Sequence, residues 1–134
     1  MTSGQEPNLW RASSRETIGA GALDRDLSVD LAVIGGGFTG CSAALEAARR
    51  GASVALLEAR EIGYGGSGRN VGLANAGLWL KPEEITAELG EAAGRALIAR
   101  LAEAPTTVFG LIEREGIDCE ARRAGTLHCA HAPA

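Results

Sequence analysis

The chain has 134 residues, 46% of them hydrophobic and 22% charged, a balance that excludes a disordered or collagen-like chain and suits about one globular domain. Its net charge of −4 provides no basic footprint, so no nucleic-acid partner is expected. Three cysteines, Cys41, Cys119 and Cys129, are odd in number and widely spaced, with no C-x-x-C pair, which argues against a disulfide framework and a zinc site.

Residues 1–28 read as an amino-terminal arm. They contain no apolar core of a secretory signal, and a soluble, cytoplasmic protein is expected. Trp10 is the one aromatic residue of the arm and is expected to anchor it over the folded body; a disordered leader is the alternative. The charge-free run at residues 31–45 is too short to span a membrane and is rich in glycine.

Residues 29–58 read as one strand-helix-strand unit. An apolar, β-branched run passes into glycine, and Gly35, Gly37 and Gly40 stand at the G-x-G-x-x-G spacing. Such a junction places a helix N-terminus, with its unpaired N–H groups and positive dipole end, against a pyrophosphate. Gly35 makes the tight turn, Gly37 admits the phosphates to the backbone, and Gly40 lets the helix approach the strand. Ala44, Ala47 and Ala48 are expected on the packed face of that helix, with Cys41 as a small buried hydrophobe and Gly51 closing the C-terminus. A second apolar strand at residues 53–57 ends on Glu58, 21 residues beyond Gly37, where such a unit keeps the acid that binds a ribose. A carboxylate there also repels a 2′-phosphate, which disfavours NADP.

Residues 59–73 hold five glycines, with Ser67, Arg69 and Asn70 among them. Ordering so many glycines costs entropy, so a dense cluster marks a tight backbone path or a ligand. Ligands on open parallel sheets bind beyond the carboxyl ends of the strands, where this loop begins.

Residues 81–116 are helical in pattern. Pro82 suits a first turn, and Glu83 and Glu84 complement its dipole. A second helix is expected from about Glu91, with an apolar stripe of Ala96, Leu97, Leu101, Val108, Leu111 and Ile112. Pro105 is expected to kink or restart it, and Gly116 to close it. Short strands are expected at residues 117–120 and 126–130, around a turn at Ala124 and Gly125. His128 and His131 flank Cys129, but residues three apart on a strand face opposite ways, so no metal is expected.

The motifs VIGGGFTG and LLEAREIGYGGSGRN resemble those of the flavin-dependent D-amino-acid oxidase (DAO) superfamily, in particular its bacterial branch similar to gamma-glutamylputrescine oxidase. The resemblance runs from about Trp10 to the end. It implies an α/β fold, the N-terminal part of a Rossmann-like, glutathione-reductase-type FAD-binding domain whose sheet is incomplete here. It divides the chain into the arm (1–28), part of the FAD-binding domain (29–116) and the start of a substrate domain (117–134). By the same resemblance Gly35, Gly37, Phe38, Thr39 and Gly40 line the FAD pyrophosphate, Glu58 holds the adenosine ribose, and Ala59 and Arg60 lie near the adenine. Ser67, Gly68, Arg69, Asn70, Val71 and Gly72 run beside the pyrophosphate toward the flavin. The branch usually has two glycines after the asparagine, and Val71 stands in place of the first, before Gly72; a β-branched residue resists φ > 0, so a different local path is expected.

The implied activity is FAD-dependent oxidation of the C–N bond of a small amine or amino acid by hydride transfer to the flavin, with dioxygen as acceptor and hydrogen peroxide as product. The chain is expected to be the amino-terminal piece of a larger enzyme and inactive alone, with the catalytic residues outside it. Two alternatives remain, an NAD-linked dehydrogenase module and a non-catalytic truncated fragment.

Overall fold

A computed structural model of the chain describes residues 9–16 and 18–127. The elements run α1 (Leu9–Ser13), β1 (Leu31–Ile34), α2 (Phe38–Arg49), β2 (Val54–Leu57), a short 3₁₀ turn (Gly66–Arg69), α3 (Pro82–Leu89) and α4 (Glu91–Glu115). They fall into two compact units, Met1–Val71 and Gly72–Ala134. Among the described residues no helix is long and apolar enough to cross a membrane.

The first unit is a mixed α/β arrangement. β1 and β2 pair in parallel, Leu31 opposite Val54 through Ile34 opposite Leu57, with α2 as the crossover that a parallel pair requires. The start of the pair is pinned by polar groups. The Asp30 carboxylate accepts hydrogen bonds from the Ser53 hydroxyl (2.7 Å) and the Ser53 N–H (2.9 Å), while the Asp30 N–H donates to the Ser53 hydroxyl at 3.0 Å.

Helix α2 packs with Gly40, Cys41, Ala44, Leu45 and Ala47 half-buried, the i, i+4 spacing of one helical face. Ala48, expected on that face, is exposed, because the packed stripe passes through Leu45 and Ala47 instead. Cys41 is half-buried rather than fully enclosed. The C-terminus closes as the sequence indicates: Gly51 takes φ +87°, its N–H donates to the Ala48 carbonyl, and the Ala52 N–H donates to that of Ala47, the two bonds of a Schellman motif.

In the second unit α3 packs against α4. The Glu84 carboxylate accepts the Lys81 N–H at 2.8 Å and so caps the first turn of α3. Ile85 is the buried hydrophobic residue among those described, and Gly94 of α4 is buried beside Thr86. Helix α4 runs unbroken through Pro105. The proline removes one N–H donor, but Leu101, Ala102, Glu103 and Ala104 before it are strong helix formers, and the expected restart does not occur. Its half-buried face carries Leu97, Ile98, Leu101, Ala104, Phe109, Leu111 and Ile112, while Ala96 and Val108 of the expected stripe are exposed. Gly116, at φ +62°, closes it.

No strand forms at residues 117–120. Glu120 takes φ +53°, which ends any extended run, and the segment is held by side chains instead. Arg123 stacks 4.9 Å from the Phe109 ring centroid and reaches Glu113 at 4.0 Å. Gly125 has φ +75° at the expected turn. Most of the expected strand at 126–130, with His128, Cys129 and His131, lies outside the described residues.

Candidate functional site

Beyond the carboxyl ends of β1 and β2 the chain brings two glycine-rich loops together. The first leaves β1 at Gly35, whose φ of +104° only glycine adopts readily. Its N–H donates to the Leu57 carbonyl at 2.7 Å, extending the strand pairing by one step. A Cβ on Gly40 would lie 1.8 Å from the Gly35 carbonyl oxygen, so the helix reaches the turn only because Gly40 has no side chain. Gly37 is the N-cap of α2, and a Cβ there would sit 2.8 Å from the Ser67 hydroxyl.

Glu58 joins the two loops. One carboxylate oxygen accepts the Gly36 N–H at 2.8 Å and the other the Arg60 N–H at 3.0 Å. These N–H donors, Gly36 first, hold its carboxyl below the ordinary carboxylate range. Two of roughly four acceptor positions on a carboxylate are thereby used, and the remainder suit the hydroxyls of a ribose.

The second loop closes on the first through its backbone and through Ser67. The Gly63 N–H donates to the Gly36 carbonyl at 2.8 Å. The Ser67 hydroxyl accepts the Phe38 N–H at 3.0 Å, one of the four donors that a helix start leaves without an intrahelical partner. Asn70 stabilises the turn Gly66–Arg69, its side-chain amide donating to the carbonyls of Gly66 (3.0 Å) and Ser67 (3.2 Å). Tyr64 gathers two cations, Arg60 at 4.4 Å and Arg69 at 5.7 Å from its ring centroid, and the Arg60 guanidinium also hydrogen-bonds the Tyr64 hydroxyl.

Of the residues singled out in the sequence, Gly35, Gly37, Phe38, Gly40, Glu58, Arg60, Ser67 and Asn70 thus share one network. Thr39, Ala59 and Arg69 are exposed within the same unit. Gly68 is needed by the loop itself, since a Cβ there would lie 2.1 Å from the Gly63 carbonyl oxygen. Val71, 77% exposed, avoids positive φ, and Gly72 takes it instead at +79°; Gly72 belongs to the second compact unit. Three contributors were missed. Gly36 is the buried residue of the triple glycine and spends both its N–H and its carbonyl on joining the loops. Ile62 places its Cδ1 2.4 Å from where a Gly36 Cβ would be, and Gly63 supplies the crossing bond. The third consecutive glycine was the available signal.

The arrangement fits a dinucleotide on its own geometry: a glycine cradle that Cβ atoms would fill, helix N–H donors at its floor, and an ionised carboxylate at the end of the second strand. Comparison with known proteins bears on which one. Residues 30–134 match the family of FAD dependent oxidoreductases, DAO. The chain is 34% identical over 118 residues to gamma-glutamylputrescine oxidoreductase of Escherichia coli, covering 88% of this chain and 28% of that protein. It is 38% identical over 91 residues to the probable oxidoreductase OrdL of Rhizobium meliloti, covering 68% and 21%. Over 65 residues it is 46% identical to aerobic glycerol-3-phosphate dehydrogenase of Bacillus subtilis, covering 46% and 12%. The chain therefore spans little more than a quarter of the length of these curated relatives at most. No solved structure matches it.

Proposed function

Because the chain belongs to the DAO family of FAD-dependent oxidoreductases, we propose that the full-length protein oxidises the C–N bond of a small amine or amino acid, with FAD held at the two joined glycine loops. The observation that carries this reading is the double engagement of Glu58, which ties Gly36 to the end of β2. The amine preference rests on the name of the E. coli relative, which covers most of this chain.

In this reading the first turn of α2, from Gly37 to Gly40, receives the pyrophosphate. Phe38 is the exception, its N–H being occupied by Ser67. Glu58 accepts the ribose hydroxyls, and Arg60, stacked on Tyr64, lies by the adenine. The loop from Ser67 to Gly72 continues toward the flavin. Bound FAD supplies a two-electron acceptor: the carbon beside nitrogen gives up hydride, water hydrolyses the resulting imine to a carbonyl compound and ammonia or a smaller amine, and dioxygen takes the electrons to become hydrogen peroxide. The protein residues described here bind and orient; none is assigned to proton transfer. A cytoplasmic location accompanies this reading.

The test is a purified full-length protein scanned for flavin absorbance and then mixed anaerobically with candidate substrates. Loss of the yellow colour with amines such as gamma-glutamylputrescine, followed by peroxide formation on adding air, is the expected result. A second reading follows from the B. subtilis relative: bleaching by glycerol 3-phosphate and not by amines would move the reaction to a C–O bond. A protein that takes up NAD and no flavin would overturn both readings.

A further inference from the structure

Two polar tethers join the amino-terminal arm to the second glycine loop. The Trp10 indole N–H donates to the Asn70 carbonyl, 60 residues away, and Arg11 pairs with Glu61. Helix α1 therefore holds the loop near both of its ends, at Glu61 and at Asn70, and Leu9 and Trp10 form one wall of an open groove whose other wall is Arg69, Asn70 and Val71.

The loop depends on such tethers. It contains four glycines between Glu61 and Asn70, each costing more entropy to order than any other residue. Among the described residues of the first unit no hydrophobic side chain is buried, so packing does little to fix it. Asn70 is also the hub of a continuous path. Trp10 bonds its carbonyl, its side-chain amide bonds the Ser67 carbonyl, and the Ser67 hydroxyl receives the Phe38 N–H at the start of α2.

From this we propose that Trp10 is a positioning residue for cofactor binding: its indole N–H fixes the 61–70 loop in the conformation that receives FAD. The proposal rests on the reading that this loop holds the cofactor. Arg11 contributes less, because its ion pair is solvent-exposed and such pairs add little. If the arm and FAD stabilise the same loop conformation, linkage requires reciprocity, so FAD tightens the arm by the factor by which the arm tightens FAD.

The experiment uses the full-length protein stripped of flavin. FAD affinity is measured by fluorescence titration for the wild type, Trp10→Phe and Arg11→Ala, and hydrogen exchange of the α1 amides is followed with and without FAD. Trp10→Phe keeps the ring and removes the donor, so it should weaken FAD binding about fivefold, the worth of one neutral hydrogen bond; Arg11→Ala should weaken it about twofold or less. FAD should slow α1 exchange in the wild type, and less so in Trp10→Phe. A merely structural role would lower the melting temperature of the flavin-free protein and leave affinity untouched. Unchanged affinity in Trp10→Phe, or α1 exchange indifferent to FAD in the wild type, overturns the proposal, and the wild-type measurement decides even if the variant does not fold. A wild type that takes up no FAD sinks the cofactor reading as well and is thereby distinguished.

Discussion

Two carboxylates in the first unit hold backbone N–H groups, and they should behave differently when replaced. Asp30 is kept below the ordinary carboxylate range by the Ser53 hydroxyl first and the Ser53 N–H second. A depressed folded-state pKa contributes stability that is present above the unfolded value, near 4, and is lost as pH falls through the lower folded value. Asp30→Asn should therefore lower the melting temperature at neutral pH, with the gap from wild type closing as pH drops below about 4, while FAD affinity stays within about twofold because Asp30 stands at the opposite end of the strands. Glu58 has the same sign of shift, but its partners, the Gly36 and Arg60 N–H groups, lie in the glycine loops that we propose hold FAD. Glu58→Ala should cut FAD affinity by about tenfold or more, since charge-assisted hydrogen bonds are lost, and Glu58→Gln should fall between, its amide oxygen still able to accept the Gly36 N–H. Equal affinity in Glu58→Ala and the wild type, read by flavin titration, removes the ribose role.

At the scale of elements, the α3–α4 contact separates two effects that glycine replacement usually mixes. Alanine in a helix interior gains about 1 kcal/mol over glycine. At Gly110 a Cβ meets nothing within 4 Å, so Gly110→Ala should realise most of that gain. At Gly94 the same Cβ would lie 2.7 Å from the Thr86 Cα and 2.8 Å from its Cγ2; backbone cannot step aside as a flexible side chain can, and overpacking costs about 1–3 kcal/mol. Gly94→Ala should therefore destabilise by about 1 kcal/mol net, and chemical denaturation of the pair checks the opposite signs. The same contrast explains what was legible in the sequence. The turn at Gly35, the close helix approach at Gly40 and the helix ends at Gly51 and Gly116 could be read because each is set by residues a few positions away. Gly36, Gly63 and the Asp30–Ser53 clamp could not, since their partners are 22 to 27 residues distant and chosen by how loops meet. The strand expected at residues 117–120 does not form: among the described residues no strand pairs with it, and Arg123 meets Phe109 and Glu113 instead.

For the molecule as a whole, the balance between burial and entropy decides what the 134 residues do by themselves. Ordering a residue costs about 1–2 kcal/mol of backbone entropy, and burying a whole aliphatic or aromatic side chain returns about 1.5–3 kcal/mol. Among the described residues Ile85 alone is a buried hydrophobe, whereas Ile34 is 89% exposed, Phe38 65%, Trp79 91% and Leu73 63%. Ile34 and Phe38 flank the glycine cradle at the end of a two-stranded sheet, and among the described residues neither strand has a second neighbour, which leaves hydrogen-bonding edges open. With one hydrophobic side chain fully buried among the described residues, exposed apolar groups beside open strand edges favour association. The 134-residue chain expressed alone should therefore bind the hydrophobic dye ANS strongly, melt over a broad range and sediment as mixed oligomers at micromolar concentration. FAD should raise its melting temperature little, because stabilisation by a ligand grows only as the logarithm of its concentration over Kd and a loosely ordered loop binds weakly. The full-length protein should show the reverse in each measurement. A sharp, cooperative melt of the isolated chain as a monomer, with weak dye binding and a large shift on adding FAD, would mean that the two joined loops and their helix form a self-sufficient cofactor site.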